Sequence, residues 1–230
     1  MSDRVPSVSP SPPPSGGRAA TEAFAVILMV AVPPLLAREL GLFSTLFGVA
    51  MATLLLRLSG QSWSSLGLTA RPRWFQVLWQ GGLLYLASTA LVGVLLMPAL
   101  DRLGLGAPDV SAFSGIEGNT QAWLTLLIFS WIFAAFGEEM IARGFLLDRF
   151  SRILGPGQGS LGAGVFLQAG LFGLAHAYQG PAGILLTFVL GLILAIGYLV
   201  TGRNLWVAVM AHGITNTVSL TGVYLGLTPI

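Results

Sequence analysis

The chain of 230 residues has no cysteine, only two histidines and only 9% charged residues, and all of its 11 basic residues are arginine, so lysine is absent as well. Without cysteine, disulfide scaffolds, thiolate nucleophiles, Cys-ligated zinc and iron–sulfur clusters are excluded. Without lysine there is neither a Schiff-base amine nor a P-loop. A three-histidine metal site is excluded too, and a two-histidine site would have to use His176 and His212. The net charge of +2 is spread along the chain, with no basic cluster to engage nucleic acid. A soluble domain carries roughly 25% charged residues. The low charge here, with 54% hydrophobic residues and a mean hydropathy of +0.81, describes an integral membrane protein. Arginine without lysine, beside heavy Ala, Gly and Leu usage, points to a GC-rich bacterial genome and so to a bacterial plasma membrane.

Residues 1–20 are rich in Pro, Ser and Gly and have no apolar period. Such a segment buries too little surface to offset the entropy of ordering, so it reads as a disordered tail, with a single transmembrane helical domain over 21–230. A signal peptide fits less well, because the segment before the apolar run is long and Pro33-Pro34 interrupt that run. Apolar runs then recur at membrane-spanning length. The expected fold is all-α, a polytopic bundle of about seven to eight helices, placed near 22–37, 41–57, 74–98, 121–148, 160–178, 182–201 and 204–226. The first helix is expected to be short and kinked, and the first three to carry no buried charge. With the tail in the cytoplasm, Arg4, Arg18, Arg57, Arg71, Arg73, Arg149, Arg152 and Arg203 lie on the inner side, and Arg38 and Arg102 outside. No internal repeat is visible, which counts against a repeat-built transporter.

Polar residues in hydrocarbon need reasons, and they concentrate within 130–220. Glu138 and Glu139 are adjacent, at about 2.5–3.5 kcal/mol each on insertion scales. They point about 100° apart on an α-helix. Glu139 has Arg143 at i+4, the favourable order for an ion pair. Glu138 has only Ala134 and Ala142 one turn away, leaving room for water or substrate, and a desolvated carboxylate there suits a general base. On the next helix Ala169, Gly173 and His176 share a face of small residues turned into the bundle, and Phe172 can pack on the His176 ring. On the last helix His212 and Asn216 share a face that Ser219 continues, a polar track suited to donating hydrogen bonds to a carbonyl oxygen on which charge develops. A structural ion network and helix–helix hydrogen bonding would account for each group taken singly.

The three motifs, Glu138-Glu139-x-x-x-Arg143, Phe172-x-x-x-His176 and His212-x-x-x-Asn216, in that order on separate apolar helices, resemble those of the CPBP family. These are the membrane-embedded CAAX proteases and bacteriocin-processing (Abi) enzymes, similar to Ras-converting CAAX endopeptidases. WSSLGL over 63–68 is similar to a connection common in that family. The resemblance implies an intramembrane endopeptidase in which Glu138 and His176 activate a water, His212 and Asn216 form the oxyanion hole, and Glu139, Arg143 and Phe172 support the site. It implies the lipid bilayer and a membrane-associated peptide or protein as partners. The residues favour a cofactor-free glutamic mechanism over the alternative of one divalent metal such as zinc on Glu138, His176 and His212, since HExxH is missing. A non-catalytic scaffold of the same fold is the alternative from another class. Substrates of the resembling family range from prenylated C-terminal motifs to bacteriocin peptides, and a bacterial host argues against prenylation. With straight helices in these bounds, Glu138 and His176 fall at opposite depths, and the Gly-rich stretch 155–164 and the break Gln179-Gly180-Pro181 are where the backbone could correct this.

Overall fold

The computed structural model describes residues 14–36, 43–153, 155 and 157–227, and every regular element among them is helical. In chain order the helices are α1 (Gly16–Leu36), α2 (Ser44–Leu58), α3 (Trp74–Arg102), α4 (Thr120–Ile153), α5 (Gln158–Ala175), α6 (Gly180–Val200) and α7 (Leu205–Tyr224). This is the all-α bundle expected. Among the described residues three helical segments, Trp74–Arg102, Thr120–Ile153 and Ala177–Val200, are long and apolar enough to cross a membrane. Helix α7 falls outside that group because His212, Thr215, Asn216, Thr217 and Ser219 dilute its apolar surface.

The chain's own punctuation sets these bounds. Asn119 caps α4 by accepting the Ala122 N–H on its side chain (3.1 Å), and Asn204 caps α7 through the Trp206 N–H (3.1 Å). Pro181 lies in the first turn of α6, where its missing N–H costs nothing. Helices α5 and α6 pack together, α3 packs along α7, and α1 packs on α2 and on the end of α4.

Helix α1 departs from expectation in three ways. It starts at Gly16, inside the predicted tail, of which residues 1–13 lie outside the described residues. It runs unbroken to Leu36 through Pro33-Pro34 rather than ending as a short, kinked span. And it carries a buried charge: Glu22 is 4% exposed. Tertiary contacts explain the early start. Ala23 and Val26 join a cluster with Ala52, Leu56, Ile141 and Phe145, and Glu22 is held by Arg18 (2.7 Å), Ser59 (3.2 Å) and Arg149 (2.7 Å). Arg149, expected at the inner surface, is fully buried; it also pairs with Asp148, donates to Gln61 (2.9 Å) and lies over the Phe145 ring. Arg152 completes the network on Asp148 at 2.7 Å.

The WSSLGL segment forms a short 3-10 turn, Trp63–Leu66, docked on the α6–α7 turn. The Tyr198 hydroxyl donates to Leu66 O (3.0 Å), the Leu205 N–H to Gly67 O (3.2 Å) and the Trp206 indole N–H to Thr69 O (2.8 Å). Gly67 has φ +90°, and a Cβ there would run into the Arg203 carbonyl. A left-handed residue with a Cβ costs about 1–2 kcal/mol before any clash. Gly67→Ala should therefore lower stability by at least about 2 kcal/mol, whereas Gly82→Ala, at a helical site with open space beside it, should be neutral or slightly stabilising. Thermal unfolding followed by tryptophan fluorescence would compare them, and equal melting temperatures would refute the packing argument.

Candidate active site

The site is built around the middle of α4, where the backbone leaves α geometry. Residues Ser130–Glu138 and Met140–Leu146 adopt π-type i→i+5 hydrogen bonding, an arrangement found mostly at functional sites. A reading based on 3.6 residues per turn has no means of detecting this. The predicted pair nevertheless forms, Arg143 Nη1 donating to Glu139 Oε1 at 2.7 Å with both side chains fully buried.

The two glutamates diverge. Glu139 Oε1 also receives His212 Nδ1 at 2.8 Å, so side chains of α4 and α7 converge on one buried carboxylate. Glu138 is only half-buried, and its Oε2 makes no hydrogen bond to any described residue. Two further buried atoms of the cluster, Glu139 Oε2 and Arg143 Nε, are likewise without a hydrogen-bond partner among the described residues.

Phe172 ties the motifs together. Its ring lies under the Arg143 guanidinium (4.4 Å), 4.9 Å from the His176 ring as expected, and edge-on to His212 at 5.9 Å. Its carbonyl oxygen meets His176 Nδ1 at 2.8 Å. A carbonyl can only accept, so Nδ1 carries the proton and Nε2 of a neutral His176 keeps its lone pair. Likewise Glu139, as a carboxylate, takes the Nδ1 proton of His212. Asn216 donates to Ser130 Oγ (3.0 Å), which brings α7 against the π segment of α4. Ser219 does not extend this track into the bundle, because it is exposed.

The Glu138-Glu139 and His176 stretches meet through Phe172, whose ring packs on His176 and lies under Arg143, the partner of Glu139. Helix α4 continues to Ile153, 15 residues beyond Glu138, and His176 follows Gln158, the start of α5, by 18 residues. Helix α5 ends at Ala175, and His176 opens the irregular link to α6.

Several contributors escaped the motif reading. Tyr178 lies 5.9 Å from the His176 ring and meets Phe113 edge-on at 6.4 Å. Phe113 belongs to the connection before α4, which is fastened over this end by the Asp109 N–H donating to Gln179 O (3.0 Å). On that connection Asp109, fully exposed, accepts Ser111 at 2.8 Å, which holds its carboxyl below the usual carboxylate range. Gln168 donates to the Gly191 carbonyl (3.2 Å), which also receives Arg143 (3.3 Å). Gln168 had a visible signal, being i−4 to Phe172 and i−8 to His176 on an otherwise apolar helix. Tyr178 had none, since its place depends on the irregular link.

Among the described residues no group of three or more His, Asp or Glu side chains is arranged to hold a metal ion. His212 Nδ1 is engaged by Glu139 and His176 Nδ1 by the Phe172 carbonyl, which leaves Nε2 of each histidine as the nitrogen that could ligate a metal.

Residues 120–218, spanning α4 to most of α7 and holding all three motifs, match the family model described as type II CAAX prenyl endopeptidase Rce1-like. This bears out the resemblance read from Glu138-Glu139-x-x-x-Arg143, Phe172-x-x-x-His176 and His212-x-x-x-Asn216. No curated protein and no solved structure gives a significant match to the chain.

Proposed function

Starting from the Rce1-like signature over residues 120–218, a family of intramembrane CAAX-type proteases, we propose that this chain is a glutamic endopeptidase acting on a membrane-associated peptide. The observation that carries this reading is the division of labour between adjacent carboxylates. Glu139 is sealed and bound by Arg143 and His212, whereas Glu138 is half-buried with an unengaged oxygen. A carboxylate kept out of ion pairs in a partly desolvated site is suited to take a proton.

In the proposed reaction Glu138, with the Nε2 lone pair of His176, removes a proton from water, and the hydroxide oxygen bonds to the scissile carbonyl carbon. The carbonyl π electrons move to its oxygen, where His212 Nε2–H and the free Asn216 amide hydrogen meet the charge. Collapse breaks the C–N bond, and the proton held by Glu138 passes to the leaving nitrogen. His212 donates from Nε2 only if it carries both ring protons, and the Glu139 carboxylate on its Nδ1 balances that charge. Arg18, Arg57, Arg71, Arg73, Arg149, Arg152 and Arg203 occupy one end of the bundle, which supports a cytoplasmic N-terminus.

The test is cleavage of lipidated and unmodified peptides by the purified chain, with and without a strong chelator, beside Asn216→Ala. Cleavage should survive chelation, and Asn216→Ala should lower kcat about 10²–10³-fold, the usual effect of losing one oxyanion donor. Activity abolished by chelation and restored by zinc would make Glu138, His176 and His212 ligands instead, and full activity in Asn216→Ala would remove it from the oxyanion hole.

A further inference from the structure

At the end of the bundle opposite the Phe113 connection, three cations surround one cavity. Gly67, Thr69, Arg71, Arg73, Arg203 and Asn204 are among the residues lining a pocket of about 330 Å³ between the start of α3 and the α6–α7 turn. Among the described residues no acidic side chain lines it. None of Arg71, Arg73 and Arg203 takes part in an ion pair among the described residues, whereas Arg18, Arg143, Arg149 and Arg152 all do. Arg203 also borders the neighbouring cavity that contains Asp148, but that carboxylate is already held by Arg149 and Arg152.

The pocket is braced. Arg203 sits in the left-handed region (φ 59°), the one non-glycine residue there among the described residues, and its backbone is packed against Gly67. Thr69 is fixed by the Trp206 indole, which is itself in ring contact with Trp74 at 5.3 Å. The start of α7, with the positive end of its dipole, opens into the same space at Asn204. Beside it Trp74 and Phe75 are 52% and 83% exposed, as suits aromatic side chains at a membrane interface.

We propose that Arg71, Arg73 and Arg203 form a phosphate-binding site, one that accepts the phosphate of an anionic lipid headgroup with the acyl chains lying along Trp74 and Phe75. The planar forks of arginine match phosphate oxygens bidentately. Three unneutralised guanidiniums around a cavity with no acid leave an anion as the ligand that completes the electrostatics. Occupancy would clamp the start of α3 to the α6–α7 turn, and so fix the entry of the helix that carries His212 and Asn216.

The full chain in detergent would be titrated with phosphatidylglycerol and with phosphatidylcholine, counting retained lipids by native mass spectrometry, for wild type, Arg203→Gln, Arg203→Lys, Arg71→Gln and Arg57→Gln. Arg57 is an exposed cation on the same end but outside the pocket. Wild type should retain phosphatidylglycerol preferentially. Arg203→Gln and Arg71→Gln should weaken that retention about fivefold or more, Arg203→Lys less, and Arg57→Gln not measurably. Competition by inorganic phosphate separates the sources: displacement of the lipid indicates a site that also takes free phosphate, and no displacement one that requires the lipid. Equal losses in Arg203→Gln, Arg71→Gln and Arg57→Gln, or no preference for the anionic lipid, would overturn the proposal. Melting temperatures of the same variants would separate lost binding from lost folding.

Discussion

Glu138→Gln should lower kcat for peptide cleavage by about 10²–10⁴-fold, the contribution expected of a positioned general base, while leaving the melting temperature within a few degrees of wild type. The amide keeps the shape and one hydrogen-bonding oxygen but cannot accept a proton. Stability should change little, because Glu138 makes no ion pair among the described residues and its Oε2 makes no hydrogen bond there. Glu139→Gln is the informative contrast. It removes the charge shared by Arg143 and His212, leaving a fully buried guanidinium without its counter-ion. That variant should lose stability as well as activity, because breaking a buried pair by neutralising one partner typically costs about 3–5 kcal/mol. Comparing kcat and tryptophan-monitored unfolding for both variants separates the roles. If Glu138→Gln cleaved at the wild-type rate, or if it unfolded the protein as Glu139→Gln is expected to do, the assignment of the two carboxylates would have to be reversed or abandoned.

Arg149→Met should be the most destabilising substitution away from the site, by about 3–5 kcal/mol and so on the order of 10 °C in melting temperature. Arg149 is wholly buried and joins Glu22 on α1, Asp148 on α4 and Gln61 beyond α2. Its removal leaves Glu22 with only the half-exposed Arg18 as counter-ion. The penalty therefore comes from a buried charge left without compensation more than from the attraction lost. The double variant Glu22→Gln with Arg149→Met removes that uncompensated charge and should recover part of the loss, a coupling that a double-mutant cycle measures directly. Additive losses would mean that the network does not hold α1 against α4.

How far the sequence could go depends on the range of the forces involved. Composition alone made this a helical membrane protein, because a chain with so few charges cannot remain in water and must satisfy its backbone within helices in lipid. The Glu139–Arg143 pair and the Phe172–His176 contact were legible because both are local, four residues apart within α4 and across the end of α5. The three motifs pointed to the family for the same reason, each being a short spacing on one element, and the Rce1-like match covers the segment that contains them all. Tertiary structure decided what no spacing encodes. The α1 start at Gly16 depends on Glu22 meeting Arg149 across 127 residues of chain. The joining of His212 to Glu139 depends on α7 packing against a π-helical stretch that no residue period announces. The approach of the His176 end of α5 to the Glu138-Glu139 stretch follows from Phe172 packing under Arg143. Hydrophobic periodicity reports which face of a helix is apolar, but the depth and register at which two helices meet come from side chains fitting each other, and those are settled only when the bundle closes.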